Sequence, residues 1–346
     1  MRYSEQPLQT FRLRNFKAVR DSGVVKFTPL TVFIGNNGCG KSSLIEGLET
    51  FQSIVTEGID EAMNRWRGFE FIWNTVNLRR EVEKENKKKW ALTDGEIYRK
   101  NSMKFDLKSQ DFDAFMSLGL EHEDDEVDYL EEKFKVKSGV DGINQSYPYY
   151  GVRRSVDGEI SSIDEPRKVI EEAAKFESSS IFGLYGGSSI ASWQFLSLNP
   201  DQMGEARFAK RFGNFVRLQK DGANVADYLS EILDIDEKVF LGIVNTLQYV
   251  LPYAKDIDST MTYELGRQRY LQLSEGEFRV PGWLLSTGTL RVLALLAVLR
   301  HPDPPPLLCI EEIENGLDPR TLNLIVEEIQ RVTRSGKTQV ICTTHS

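Results

Sequence analysis

The chain has 346 residues, of which 40% are hydrophobic and 27% are charged, and its formal net charge is -9. This composition is ordinary for a globular protein, and the negative charge excludes a general nucleic-acid coat, because DNA binding needs a positive surface. The sequence contains no stretch of ~20 apolar residues, no signal-peptide core and no paired cysteine spacing. We therefore expect a soluble, cytoplasmic protein without a membrane partner.

The N-terminal segment predicts short strands at 11–13, 24–27 and 30–34. Apolar and polar residues alternate in the first two, which is typical of partly exposed strands. The third reads as apolar throughout and is therefore predicted to lie in the centre of a sheet.

A glycine-rich segment, Gly-Asn-Asn-Gly-Cys-Gly-Lys-Ser-Ser, follows the third strand directly. After it, apolar residues recur every three or four positions and predict an amphipathic helix, so the segment has the strand-loop-helix context of a phosphate-binding loop. Backbone N–H groups of such a loop surround phosphates at the positive end of the helix, while its lysine binds the β- and γ-phosphates and its first serine hydroxyl binds Mg²⁺. The predicted nucleotide-binding residues are Gly35, Asn36, Asn37, Gly38, Cys39, Gly40, Lys41, Ser42 and Ser43, with Ser42 also the predicted metal ligand.

Residues 59–190 are polar and carry a basic run at 84–89 and an acidic run at 121–132. We interpret both runs as solvated faces. Short strands are predicted at 104–107 and 132–136, and no sustained heptads occur, so this segment is predicted to be a lobe or a lid and not a coiled coil.

Residues 190–260 predict helices at 224–229 and 241–250, and residues 261–280 predict a hairpin. Two groups of basic residues leave two interpretations open, a nucleic-acid strip or a helix with buried Phe and solvated Arg. For the second group we favour the helix. The groups are Arg79, Arg80, Lys84 and 87–89, and then Arg207, Lys210, Arg211 and Arg217 with Phe208, Phe212 and Phe215 between them.

An almost continuously apolar helix is predicted at 290–299, and its character predicts burial on most sides. Ser286, Thr287 and Gly288 stand just before it. Hydroxyl groups and free N–H groups at a helix N-terminus bind anions, so these residues are a second predicted phosphate contact.

The apolar strand predicted at 307–310 ends in Glu311 and Glu312. The ends of parallel strands meet at one edge of a sheet, so we expect both carboxylates near the phosphate loop. Glu311 is the predicted Mg²⁺ ligand, and Glu312 is the predicted base that accepts a proton from the attacking water. A further strand at 338–342 is followed by His345, which is placed to reach a γ-phosphate.

Together these motifs resemble the ABC-type ATPases of the SMC and RecF class, and more closely the AAA-21 ATPases related to OLD-family and Septu-type defence ATPases. The resemblance covers residues 8–55 and 190–346. It implies an α/β P-loop NTPase fold, an ABC-type head with a mixed β-sheet and flanking helices, and an inserted α+β lobe in place of a coiled coil. The implied domains are an N-terminal ATPase lobe at 1–58, the insert at 59–190 and a C-terminal ATPase lobe at 191–346, with at least another strand expected after it.

The resemblance also implies head-to-tail dimers that enclose two ATP molecules with Mg²⁺. In such dimers Ser286, Thr287 and Gly288 of one subunit close over the γ-phosphate bound by the other, and the loop 314–318 lies at the interface. His345 is implied as the switch histidine and Gln194 as the Mg²⁺-sensing glutamine.

The sequence departs from the pattern at two positions, and the first departure predicts slow turnover. Glu311 stands where ABC proteins usually have Asp, and Ile313 replaces the proline that commonly follows the glutamate pair. The longer side chain of Glu311 is expected to loosen the geometry of the Mg²⁺ site.

The leading functional hypothesis is a slowly hydrolysing ATPase that dimerises and controls a separate effector, a nuclease or toxin, in a bacterial anti-phage or anti-plasmid defence system. DNA or RNA stays open as a further partner. One alternative is a RecF-like repair or maintenance ATPase that acts directly on DNA, and another is a non-catalytic ATP-binding scaffold.

Overall fold

The computed structural model describes residues 7–76, 101–110, 112–120, 127–136, 150–154, 160–162, 190–208, 216–252, 255–262 and 268–345. The chain forms two compact units, one made of Met1–Thr28 with Gly35–Trp193 and the other of Pro29–Ile34 with Gln194–Ser346. Across the described ranges, no helix combines the length and the hydropathy needed to cross a membrane. Parallel and antiparallel sheets occur together with helices, so the predicted α/β class is confirmed.

The first unit is built on an antiparallel sheet in which β1 and β5 pair along their lengths. Its strands run in the order β2-β1-β5-β6-β7-β8-β9, and β3 also pairs with β1. They are β1 (Thr10–Phe16), β2 (Val19–Asp21), β3 (Val25–Lys26), β5 (Met103–Lys108), β6 (Phe112–Leu120), β7 (Val127–Val136), β8 (Tyr150–Arg154) and β9 (Ile160–Ser162).

Two helices accompany this sheet, α1 (Lys41–Glu57) and α2 (Ile59–Arg65). The alternation predicted for β1 is confirmed, because Phe11 and Leu13 are fully buried. Helix α1 approaches β1 closely at Gly47, where an added Cβ would lie 2.5 Å from a methyl group of Leu13. The small glycine therefore lets the helix behind the phosphate loop pack directly on the strand.

The start of the predicted insert shares a sheet with the N-terminal strands. Leu13 of β1 is in register with Phe105 of β5, and the aromatic rings of Phe105 and Phe51 lie 6.1 Å apart. Backbone pairing therefore joins residues on both sides of the predicted boundary near residue 59 into one sheet, and the predicted domain bounds stay a prediction. Most residues of the two charge runs lie outside the described part of the chain.

The second unit contains a parallel sheet in the order β10-β15-β16-β4. Its strands are β4 (Leu30–Ile34), β10 (Gln194–Leu196), β15 (Leu307–Ile310) and β16 (Gln339–Thr344). Leu196 pairs with Ile310, and Thr344 pairs with Ile34. The carboxyl ends of the strands therefore lie along one edge of the sheet.

The predicted central position of β4 is wrong for the described part of the chain. There β4 pairs with β16 alone and forms the edge of the sheet. Val32 is 44% exposed and Ile34 is 67% exposed. An apolar run predicts covered faces but does not specify how many strands flank it, so its hydropathy could not distinguish an edge from the centre.

Helices of the second unit contribute many apolar residues to one core that also includes this sheet. Every residue of α6 from Thr289 to Leu299 is buried, which confirms the predicted burial of this helix on most sides. The helices are α3 (Pro200–Met203), α4 (Val225–Ile235), α5 (Glu237–Val250), α6 (Thr287–Arg300) and α7 (Pro319–Arg334).

A second, antiparallel sheet of this unit has the order β11-β13-β12, and β14 pairs with β13. The predicted hairpin is confirmed, with Gly276 at its turn in a left-handed conformation. The favoured interpretation of Phe208 as buried in a helix is wrong, because this residue lies on β11 and is 71% exposed. The strands are β11 (Arg207–Phe208), β12 (Asp256–Thr262), β13 (Gln268–Glu275) and β14 (Phe278–Pro281). The first basic group and residues 209–215 of the second lie outside the described residues.

Candidate functional site

Two glutamates leave the sheet at the end of β15, as predicted. All four residues of this strand are buried. The backbone N–H of Glu311 donates to the carbonyl of Leu196 at 2.9 Å, so the pairing of β10 with β15 continues to the first glutamate. Glu311 is half-buried and Glu312 is exposed. The sheet thus fixes the first glutamate and presents the second to solvent.

Glu312 has a left-handed backbone, with φ of 48°. This conformation is uncommon for a residue with a Cβ and is kept only where the surroundings hold it. Its N–H donates to the Thr343 hydroxyl oxygen at 2.9 Å, and its carbonyl accepts from Arg291 at 2.9 Å and from the Asn315 N–H at 3.0 Å. The direction of the Glu312 side chain is therefore determined by contacts to its backbone.

The carboxylate of Glu312 lies beside His345. Oε1 of Glu312 is 3.4 Å from Nε2 of His345, and the two side chains are 49% and 38% exposed. The backbone of His345 is held by a second carboxylate, because its N–H donates to Oε1 of Glu314 at 2.6 Å. Burial alone would raise the pKa of Glu314, but hydrogen bonds from backbone N–H groups and from the Thr344 hydroxyl keep this pKa below its usual value. Glu314 is therefore an ionised anchor for His345.

The first turn of α6 carries the residues predicted as a second anion contact. Ser286 caps the helix, with its hydroxyl oxygen accepting from the Thr289 N–H at 3.1 Å. Thr287 is exposed, and the first turn contains no acidic residue. Gly288 lies against the turn after β15, because an added Cβ would come within 2.8 Å of the Gly316 carbonyl oxygen. The turn is chemically suited to an anion and packs on the loop that contains Glu312.

These elements line a cavity of about 940 Å³ in the second unit. Its lining includes several polar residues that the sequence analysis did not predict, among them Asn199, Asp201 and Lys220. The wall residues lie side by side because the N–H groups of Ser197 and Asn199 donate to the carbonyls of Lys220 and Asp221. The full lining is Ser197, Leu198, Asn199, Pro200, Asp201, Gln219, Lys220, Asp221, Thr287, Arg291, Glu311, Glu312, Asn315 and Gly316.

The wall ends at Asp221, the first residue of the segment 221–226. Gly222 in this segment has φ of 75°. The amide of Asn224, 7% exposed, accepts from the Gln219 N–H at 2.7 Å and donates to the Arg217 carbonyl at 2.7 Å. The segment therefore holds residues 217–219 in place, and a structural role explains its pattern.

Gln194 begins β10 and is buried at 7% exposure. Its side-chain amide donates to the Leu218 carbonyl at 2.7 Å. Gln194 lies two residues before Leu196, the residue that pairs with Ile310 at the end of β15. The structure thus gives its amide a backbone acceptor, and its Mg²⁺ role stays a prediction.

The phosphate loop belongs to the first unit and has the backbone that its glycines allow. Gly38 and Gly40 have φ of 79° and 96°, and Gly40 precedes the first residue of α1. Nζ of Lys41 donates to the carbonyls of Gly35 at 2.5 Å and Asn36 at 3.1 Å. These two carbonyl groups hold the Lys41 ammonium group within the phosphate loop. Phosphate oxygens of a bound nucleotide could replace the carbonyl groups as acceptors.

The predicted metal ligands are oxygen donors, which is the type that Mg²⁺ prefers. Ser42 is exposed at the start of α1, and Glu311 is half-buried at the end of β15. Among the described residues, no group of three or more His, Cys, Asp or Glu could hold a metal ion. Each residue alone fits the chemistry of Mg²⁺, which binds through one or two protein ligands together with phosphates and water.

Comparison with known proteins places these observations in a family. Two solved structures are similar over 98% of this chain. The SmcHead bound to the C-winged helix domain of ScpA has 15% identity, a TM-score of 0.41 and 90% of its own chain covered. The SMC head domain from Thermotoga maritima has 13% identity, a TM-score of 0.35 and 89% covered.

No curated protein matches the sequence. The AAA-21 family model, described as "AAA domain, putative AbiEii toxin, Type IV TA system", matches residues 30–346. This match includes the phosphate loop, the glutamate pair and His345, and it confirms the family that the motifs predicted. The chain belongs to the AAA-21 family of AAA domains.

Proposed function

We propose that this protein is a dimerising ATP switch that binds ATP, hydrolyses it slowly and controls a separate effector, a nuclease or toxin, in bacterial defence against phages or plasmids. The observation that carries the ATPase part is the pair Glu312 and His345, 3.4 Å apart at the ends of neighbouring parallel strands. The strand on the other side of β16 is β4, and Gly35 is the next residue of the chain. The defence role rests on the family.

In this proposal the loop 35–43 binds the triphosphate through its N–H groups and through Lys41, which exchanges its two carbonyl acceptors for phosphate oxygens. Ser42 and Glu311 hold Mg²⁺, with Gln194 as a further ligand. When bound, Mg²⁺ neutralises charge that develops on the phosphates. Glu312 accepts the proton of the attacking water, and His345 contacts the γ-phosphate.

Slow turnover fits the environment of Glu312. Its carboxylate is 49% exposed and has contacts of 3.3 Å to Asn315 and 3.4 Å to His345. General-base catalysis needs a base within hydrogen-bond reach of the water and sheltered from solvent exchange. We propose that closure of a second subunit provides this shelter, so that the rate of hydrolysis depends on dimerisation.

The proposed dimer places Ser286, Thr287 and Gly288 of one subunit on the γ-phosphate bound by its partner. Support comes from the exposed position of Thr287 and from a first helical turn without acidic residues. Light scattering of the Glu312→Gln variant tests it. ATP with Mg²⁺ is expected to convert this variant from monomer to stable dimer, and a variant that stays monomeric would rule out the sandwich.

The effector is tested by purifying the native complex from its own host, with and without ATP, and measuring its mass. A co-purifying nuclease or toxin would support control of an effector. A bare ATP-dependent dimer would favour the second candidate, an ATPase that acts directly on DNA.

A specific observation favours this second candidate, since Phe208 is 71% exposed next to Arg207 within the second basic group. Exposed aromatic rings beside cations can stack on bases. Retention of the ATP-bound protein on single-stranded DNA, decreasing steeply with salt, would support direct action. No retention at low salt would exclude it.

A further inference from the structure

One arginine connects the first turns of α6 with the backbone of Glu312. Arg291 is 3% exposed. Its Nη1 donates to the Leu198 carbonyl at 2.9 Å, and its Nη2 donates to the Glu312 carbonyl at 2.9 Å. A single planar guanidinium therefore joins α6, the segment after β10 and the turn after β15.

The turn after β15 also packs on the start of α6 without intervening side chains. An added Cβ on Gly288 would lie 2.8 Å from the Gly316 carbonyl oxygen, and one on Gly316 would lie 3.5 Å from Cδ of Arg291. The two elements cannot move closer together at these contacts, because packed interiors resist compression. A shift of the first turn of α6 must therefore move the turn that begins at Glu312.

The burial of Arg291 costs free energy of folding. Burial lowers its pKa, while the charges of Glu312 and Glu314 act in the opposite direction. Its Nε is buried without a hydrogen-bond acceptor within the described residues. Arg300, on the same helix, instead has a carboxylate partner, with Nη2 2.6 Å from Oε1 of Glu328. A buried guanidinium that binds carbonyls in place of a carboxylate is not the arrangement that stability alone favours.

We propose that Arg291 is a positioning residue that couples anion binding at the first turn of α6 to the orientation of Glu312. It acts on the Glu312 carbonyl, while Thr343 holds the N–H of the same residue. Contact of Ser286, Thr287 and Gly288 with a γ-phosphate sets the turn and, through Arg291, the left-handed backbone that directs the base. The inference rests on the proposed function, and it makes the base in one site sensitive to the anion held by the same subunit's α6.

Hydrogen exchange with a non-hydrolysable ATP analogue and Mg²⁺ tests the coupling without relying on turnover. In the wild-type protein the analogue is expected to slow exchange in peptides covering 286–291 and 312–316. In Arg291→Lys, which offers a single point charge in place of a planar fork, protection of the first peptide should remain and protection of the second should be lost. Equal protection of both peptides in variant and wild type overturns the proposal. Absence of protection at both in the wild type overturns the proposed function together with it.

Steady-state kinetics supply the second readout. For Arg291→Lys we expect kcat to fall by about 10- to 100-fold with little change in KM, as for a misplaced catalytic group. Arg300→Lys is the matched control on the same helix, expected to lower Tm while leaving kcat within about twofold, since its ion pair only stabilises the fold. An equal loss of kcat in both variants would mean that any destabilisation of α6 lowers kcat, and it would overturn the specific role of Arg291.

A further variant covers the case in which Arg291→Lys fails to fold. Thr343→Val keeps the shape of a buried side chain and removes the acceptor of the Glu312 N–H. Because both contacts hold the same backbone, its kcat should fall while the apparent KM for ATP stays near wild type. A wild-type kcat in folded Thr343→Val would show that the Glu312 backbone needs no such support, and would contradict the proposal.

Discussion

Glu312 and His345 stand 3.4 Å apart, although 33 positions separate them in the chain. They meet because β15 and β16 are parallel neighbours in which Ile310 pairs with Cys342. Each residue has a further anchor, Thr343 for the Glu312 N–H and Glu314 for the His345 N–H. The pair is thus a product of sheet register, and its geometry depends on contacts to the backbone.

Nucleotide binding should depend on Lys41. In Lys41→Ala we expect affinity for ATP to fall by about 10- to 100-fold, because a charge-assisted contact to phosphate is removed. Titration with a fluorescent ATP analogue measures the change. Lys26→Ala, at an exposed position on β3, serves as the control and should bind as the wild type does. Unchanged affinity in Lys41→Ala would contradict the assignment of the phosphate loop.

The close approach of α1 to β1 predicts a stability difference between two helical glycines. Gly47→Ala should destabilise the protein by about 1–3 kcal/mol, because its Cβ would lie 2.5 Å from a Leu13 methyl group. Gly242→Ala on α5 is the matched control, since the nearest atom to its added Cβ is 3.7 Å away. There the change should stabilise by about 0.5–1 kcal/mol, since alanine is the better helix former. Thermal melts that rank the two variants in the opposite order would refute this packing.

The acid stability of the first unit should depend on Asp21. The hydrogen bond from Arg12 lowers the pKa of Asp21 to about 2, and burial opposes this shift. A carboxyl group whose pKa is lower in the folded state stabilises the protein at pH values above its pKa in the unfolded state. This contribution is lost as pH falls from about 4 through about 2. Asp21→Asn should therefore lose less stability than the wild type between these values.

Urea unfolding at a series of pH values measures this difference. The Asp21 side chain is 41% exposed, so solvent screening keeps the effect small and salt should reduce it further. Identical pH dependence of wild type and Asp21→Asn would contradict a lowered pKa.

The sequence predicted much of the fold where the hydropathy pattern and the turn residues agree. The apolar period of α6, the strand before Glu311 and the glycine turn of the β13–β14 hairpin are each fixed by local chemistry and are confirmed. Strand β6 was not predicted, although Ala114, Met116 and Leu118 are buried at alternate positions along it. The pairing of β1 with β5 depends on contacts distant in sequence, which local patterns do not specify.

The motifs predicted which residues lie at the strand ends of the candidate site but not the contacts that support them. Glu312 and His345 were identified by their places at strand ends, and the structure brings them together. The links from Arg291 and Thr343 were not predicted, because their partners are backbone groups that any residue type could supply. Asn199 and Asp201 at the cavity were missed for a related reason, since they follow a strand of only three residues.

ATP turnover by wild type and by Glu312→Gln, with ATP affinity measured in parallel, tests the central claim most directly. Removing a general base while keeping the shape of its side chain should lower turnover by about 100-fold or more, with ATP still bound. That result would assign hydrolysis to Glu312. Equal turnover in the two proteins, or no turnover by either despite tight binding of ATP, would contradict the account of this protein as a hydrolysing switch.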